Sequence, residues 1–370
     1  MNDSEFILWK NNVSKKFMEM SVKFFKTSKM MFEKLVNEGT PKYLDQLIFP
    51  CLYSFRHSLE LVLKYVLIVE CKDKEEVITM LATNKHNLVT LFDDVKQILV
   101  LNTSDSIEFK KLIDYIDKVD PDSDFFRYPF GLFGSYNFEN QVWIDLVKLF
   151  NAFEISEFLF DLMINDNKTK FKGNSKAIDF VSETQVNYRI FSTIGTGGLS
   201  KSFRYQMNGF NKAAEFLIEY DDYYFQRLYF ERLSIELVLK DIIYYIMTDD
   251  AFKIFRNKKH KIIGLWNKVV SILEDLGDGR GPTIELSNVT ELCEIGEVLK
   301  KVHDQDVNSD EFRYPIKMDG NSNLSMVEEN IEDIFDKGSL FRRLEIYDNV
   351  VIASDLNNKG MSLFDYLLEL

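Results

Sequence analysis

Two short stretches of this chain set charged side chains into apolar surroundings at a spacing that could support chemistry. In RHSLELVLK, Arg56, Glu60 and Lys64 stand four residues apart, and RLSIELVLK repeats them as Arg232, Glu236 and Lys240. On a helix that spacing lines the three up along one stripe, with His57 on the adjoining edge. A carboxylate and an ammonium in an otherwise apolar helix must meet partners or line a cleft, because burying unpaired charge is costly. Farther along, KHNLVTLF and KHKIIGLW supply His86 and His260, and SDFFRYP and SDEFRYP supply Arg127 with Tyr128 and Arg313 with Tyr314. Histidine moves protons near neutral pH and arginine grips phosphate with a planar fork. The set therefore brings proton-transfer and anion-gripping groups together. Arg127 and Arg313 are the expected partners of Glu60 and Glu236, with His86 and His260 completing each cluster. The plainer reading is an ion-pair network that locks helices together, with the histidines bonded at helix starts and the tyrosines packed under a turn.

The elements that must position these residues recur in one order. The separation from first Arg to His is 30 residues in one half and 28 in the other. This is the pattern of a diverged internal duplication, in which loop lengths drift cheaply. The expected organisation is a first helical repeat over 1–163, a linker over 164–200, a second repeat over 201–335 and a divergent tail over 336–370. Apolar residues at three- and four-residue intervals predict helices around Val22 to Val36, Ser54 to Val69 and Val142 to Met163. Turn signals at Gly134-Ser135 and Asp319-Gly320 predict a small β-hairpin after each FRYP. His57 has Leu233 as its counterpart, which marks either a role special to the first half or drift.

At 370 residues and 46% hydrophobic content the chain can bury two cores. Its 32 Phe and 17 Tyr fall mostly in periodic stretches and read first as core. A net charge of -14 opposes general polyanion binding, so a nucleic-acid role needs a local basic patch. Lys253, Arg256, Lys258, Lys259, His260 and Lys261 form one candidate. Cys51, Cys71 and Cys293 lack metal-ligand spacing and suggest a reducing, cytoplasmic setting. No apolar run reaches the length of a membrane span. IGTGGLSKS, Ile194 to Ser202, approaches a phosphate loop but has Ser200 where the motif needs glycine, and reads as a connector. Cys-x-x-Cys, HExxH and GxSxG are absent, and four scattered histidines do not suggest a metal site. No cofactor is expected.

The RHSLELVLK helix followed by a Lys-His-x-Leu/Ile helix resembles the HEPN superfamily, the higher-eukaryote and prokaryote nucleotide-binding domains, many bacterial members of which read RHxLELxLK … HxLxxL. The resemblance implies an all-α fold of two HEPN-like bundles arranged as an intramolecular pseudo-dimer, able to oligomerise further. It also implies a role in toxin–antitoxin, abortive-infection or antiviral defence systems, with RNA, a nucleotide or a partner protein as ligand. The expected activity is metal-independent RNA cleavage, with Arg56, His57, His86 and Arg127 as the catalytic set. Glu60, Lys64, Tyr128, Arg232, Glu236, Lys240, His260, Arg313 and Tyr314 are then binding or supporting residues. The family's R-x4-6-H ribonuclease motif is not present, since Arg56 and His57 are adjacent and only three residues separate Arg256 from His260. A non-catalytic regulator or sensor is the alternative.

Overall fold

The computed structural model describes residues 3–38, 41–99, 103–137, 142–165, 176–182, 191–194, 201–277, 289–317, 321, 323, 340–346 and 348. Within them the chain is predominantly α-helical, as expected. It divides into two compact units. Unit 1 comprises Met1–Arg127, Asn140–Gly195 and Tyr314–Leu324; unit 2 comprises Tyr128–Glu139, Thr196–Arg313 and Ser325–Leu370. The division does not follow contiguous halves. It cuts each FRYP motif between its Arg and its Tyr, so each unit takes in a segment that sequence order would give to the other.

Unit 1 is built from α1 (Asp3–Glu38), α2 (Pro41–Glu70), α3 (Lys74–Asn84), α4 (Leu88–Ile98), α5 (Thr103–Val119), β1 (Val142–Asp145), α6 (Leu146–Asn165), β2 (Val181–Ser182) and β3 (Phe191–Ile194). α2 is its central helix, packed mainly against α1 and α4. Every residue from 47 to 64 is buried, the condition of a helix with no solvent face. The helices expected from Val22 and Ser54 lie inside α1 and α2, and α2 runs through Pro50. The stretch from Val142 departs from the expectation. Val142–Asp145 is the middle strand of a three-stranded antiparallel sheet ordered β2-β1-β3, with Trp143 opposite Ser182 and Thr193. The helix begins only after Asp145, whose carboxylate accepts the backbone N–H groups of Val147 and Lys148 at 3.0 and 3.1 Å. An acidic N-cap after a β-branched and aromatic run separates strand from helix.

Unit 2 contains α7 (Arg204–Leu217), a 3-10 turn at Asp221–Tyr223, α8 (Tyr224–Met247), α9 (Asp249–Lys258), α10 (Ile262–Gly277) and α11 (Val289–Gln305). α8 is its central helix, buried without interruption from Gln226 to Ile243 and packed against α7 and α10. At the start of α7, Arg204 bridges two buried carboxyls, with Nη2 2.7 Å from Asp348 and Nε 3.5 Å from Asp241. Burial pushes Asp241 up to about 6 against the pull of Arg204. Burial and the Asp241 charge hold Asp348 well above the ordinary carboxyl range.

The turn after each FRYP closes in the same way. After the first, Gly131 N–H donates to the Ser135 carbonyl and Asn137 N–H to that of Pro129, both at 2.8 Å, around a single bridge between Phe130 and Tyr136. After the second, Lys317 donates to Asn321 and Asn323 to Pro315. Gly134 has φ +89, and a Cβ there would sit 2.8 Å from the Phe252 ring. The Asp319-Gly320 turn, the segment Gly195 to Ser200 of the loop resembling a phosphate motif, and 349–370 of the expected tail lie outside the described residues. No helix among the described residues is long and apolar enough to cross a membrane.

Candidate functional site

A left-handed residue precedes each motif histidine: Lys85 with φ 45 and Lys259 with φ 51. Each closes the preceding helix, Lys85 N–H reaching the Leu81 carbonyl and Lys259 N–H that of Phe255. The chain then turns sharply, and the histidine carbonyl and ring both point back at the central helix. Next to His86, Asn87 caps α4 by accepting the Thr90 N–H at 2.8 Å. Non-glycine residues at positive φ are strained and persist where their surroundings fix them. Here the fixing contact is the arginine: Arg56 Nη2 donates to the His86 carbonyl, and Arg232 Nη2 to that of His260 at 2.6 Å.

Each buried glutamate is the hub. In unit 1, Glu60 receives Arg56 Nη1 at 2.5 Å, Lys64 Nζ at 2.6 Å, His86 Nδ1 at 3.2 Å and the Tyr314 hydroxyl at 2.8 Å. In unit 2, Glu236 receives Arg232 Nη1 at 2.5 Å, Lys240 Nζ at 2.7 Å, His260 Nδ1 at 3.0 Å and the Tyr128 hydroxyl at 3.1 Å. Lys64 lies 4.7 Å from the Tyr314 ring centroid and Lys240 4.5 Å from that of Tyr128. Burial alone would raise the Glu60 carboxyl, but Lys64, His86 and Arg56 outweigh it and hold it well below the usual range. Lys240, His260 and Arg232 do the same for Glu236.

An ionised carboxylate only accepts hydrogen bonds, so a histidine bonded to it through Nδ1 carries its proton there. Each ring is therefore held through Nδ1, with Nε2 on the side turned away from the glutamate. The His86 and His260 side chains are each 36% exposed, and Nε2 has no partner among the described residues. A carboxylate that fixes the tautomer of a half-exposed imidazole is the arrangement of a general base.

Several expected contacts are different in the structure. Glu60 does not pair with Arg127, nor Glu236 with Arg313. Arg127 donates to the Ser123 carbonyl at 2.5 Å and meets Asp124, and Arg313 lies 3.7 Å from Asp310. The i,i+4 arginine of the same helix, already within reach, fills the place given to the later one. Arg56 and His57 are fully buried and Arg127 is 3% exposed, so none of the three can touch a substrate in this structure. His57 is enclosed by aromatic rings, stacked on Tyr53 at 5.4 Å and edge-on to Phe24 and Tyr314 at 4.7 and 5.2 Å.

Two residues that sequence reasoning missed complete the frame. Asp120 and Asp306 receive the backbone N–H of Phe125 and Glu311 at 3.0 and 3.1 Å, and so form the turns that open FFRYP and EFRYP. Arg56 Nε donates to the Asp120 carbonyl at 3.1 Å, and Arg232 Nε lies 3.0 Å from Asp306 Oδ2. The signal was present, since D-x-x-S-D-x-F-R-Y-P occurs twice, and Ser123 and Ser309 both adopt φ near +65. No grouping of residues suited to a metal ion occurs among the described residues. Comparison of the chain with protein-family models, curated proteins and solved structures finds no match.

Proposed function

We propose that the chain is a HEPN-like effector that cleaves RNA without a metal, using His86 and His260 as the proton-transfer groups. The observation that carries the reading is the geometry of each half-exposed imidazole, tethered at Nδ1 to an ionised glutamate with Nε2 open. In the reaction Nε2 takes the proton of a ribose 2′-OH. The 2′-oxygen bonds to the adjacent phosphorus, the bond to the 5′-oxygen breaks, and the imidazolium returns the proton to that departing oxygen. The products are a 2′,3′-cyclic phosphate and a 5′-hydroxyl end. Arg56, Arg232, Lys64 and Lys240 are positioning residues that hold the glutamates and the turns. The test is incubation of the protein with total RNA in EDTA, comparing wild type with His86→Ala and His260→Ala. Cleavage that falls at least a hundredfold in the double variant supports the proposal; intact RNA with wild type, or cleavage untouched by both changes, overturns it.

One observation favours a second reading, a non-catalytic regulator that binds a nucleotide or partner protein. Every polar atom of Glu60 and Glu236 is engaged internally, as in a network that only locks helices. Binding of a mononucleotide with no RNA cleavage would place this reading first.

A further inference from the structure

The helices that lead into the two Lys-His turns differ in charge. α3 opens with Glu75 and Glu76 after Asp73, and these line a groove of about 430 Å³ with Asp94 and Thr79. α9 also opens on two acids, Asp249 and Asp250, but its later turns expose Lys253 and Lys258, keep Arg256 half-buried, and lead to exposed Lys259 and Lys261. None of these five cations has an ion-pair partner among the described residues, although the chain carries a net charge of -14. Five neighbouring cations without an ion pair among the described residues keep a local positive field for an anionic ligand.

An exposed aromatic ring stands beside this field. The turn after the first FRYP is anchored in unit 2 by Phe130, whose ring lies 5.2 Å from Phe252, 4.9 Å from Tyr244 and 5.1 Å from Phe203. The fold of the turn at Gly131 and Gly134 leaves Phe133 at its tip 80% exposed. The Arg256 guanidinium sits 5.5 Å from the Phe133 ring centroid. The same turn carries Tyr128, whose hydroxyl is 3.1 Å from His260 Nδ1. One rigid turn thus joins the exposed ring to the histidine.

We infer that α9 and this turn form a single-stranded RNA platform: a base stacks on Phe133 beside Arg256, and the flanking phosphates lie on Lys253, Lys258, Lys259 and Lys261. The inference rests on the RNA reading above and places the bound strand beside His260. Aromatic stacking needs an unpaired base, so single strands are favoured over duplex. The experiment is fluorescence anisotropy with a labelled 12-nucleotide oligouridine at several salt concentrations, an assay that needs no cleavage. Phe133→Ala is expected to weaken binding roughly tenfold. Lys253→Gln with Lys259→Gln should lower the slope of log affinity against log salt by about 0.7 for each lost contact. Circular dichroism confirms that the variants fold, and Lys72→Gln and Lys74→Gln in unit 1 should bind as wild type does. Unchanged binding by the α9 and Phe133 variants overturns the platform, as does equal binding of duplex or capture of polyglutamate in place of RNA. If cleavage is absent but the binding pattern holds, the catalytic proposal fails and the platform stands.

Discussion

The hydroxyl of Tyr314 lies 2.8 Å from Oε1 of Glu60, a residue 254 positions earlier in the chain. It is one of four groups that stabilise a fully buried carboxylate, and its removal can be tested without touching the histidine. Tyr314→Phe deletes only the hydroxyl. It should cost about 1–3 kcal/mol, read as a lower urea midpoint with unchanged slope. Tyr128→Phe, which removes the equivalent bond to Glu236, should cost a similar amount; no loss in either variant would show that the hydroxyls are not needed to hold the carboxylates.

Replacing the hub itself should be far more damaging. Glu60→Gln leaves Arg56 and Lys64 buried beside a neutral amide, and removing one partner of a buried pair costs roughly 3–5 kcal/mol. Both glutamates are depressed in the folded state, so their stabilising effect is complete above the unfolded carboxyl value of about 4.3 and is lost as pH falls below it. Wild type should therefore lose stability steeply on acidification below pH 4, and Glu60→Gln should show a shallower acid limb. Parallel curves for the two proteins would contradict this account.

Asp241 and Asp348 move the other way. Their folded values are raised, so the folded state holds a proton that the unfolded chain releases from 3.8 upward. Stability from Asp241 is full at acid pH and declines as pH rises toward about 6, by roughly 1.4 kcal/mol for each pH unit that separates the unfolded from the folded value, and Asp348 adds a decline of the same sign. Asp348→Asn, which is neutral at every pH, should flatten the curve above pH 4 and stabilise the protein at pH 8. Chemical denaturation across that range measures both; a variant less stable than wild type at pH 8 would refute this account.

His57 is enclosed by rings rather than presented to a substrate, and Leu233 fills the matching place in unit 2. His57→Leu should consequently keep any RNA cleavage within about threefold of wild type, whereas His57→Ala should lose about 2–4 kcal/mol of stability through the cavity it leaves. A hundredfold loss of cleavage in a well-folded His57→Leu protein would restore this residue to the chemistry.

The central helices and their charged stripes were legible because periodicity of 3.6 and the cost of buried charge are both properties of the local sequence. Arg56, Glu60 and Lys64 lie together as the spacing requires, and so do Arg232, Glu236 and Lys240. What spacing could not supply was the choice between two arginines for one carboxylate, which depends on which guanidinium is already within reach. Nor could it show that Tyr128 and Tyr314 belong to the hubs, because their partners depend on the course of the whole chain. The strand at Val142–Asp145 was hidden by an apolar run that continues into α6, with only the capping role of Asp145 to divide them.

The division of each FRYP motif between units has a consequence for how the protein is made. The tyrosine that completes the shell of Glu60 leaves the ribosome 254 residues after it. Domains emerging first normally fold first. Here the earlier hub stays unfinished until Tyr314 arrives, while Tyr128 is already waiting when Glu236 emerges. The later hub is thus the first that can close, and a transcript truncated before codon 314 yields a protein with no complete Glu60 site.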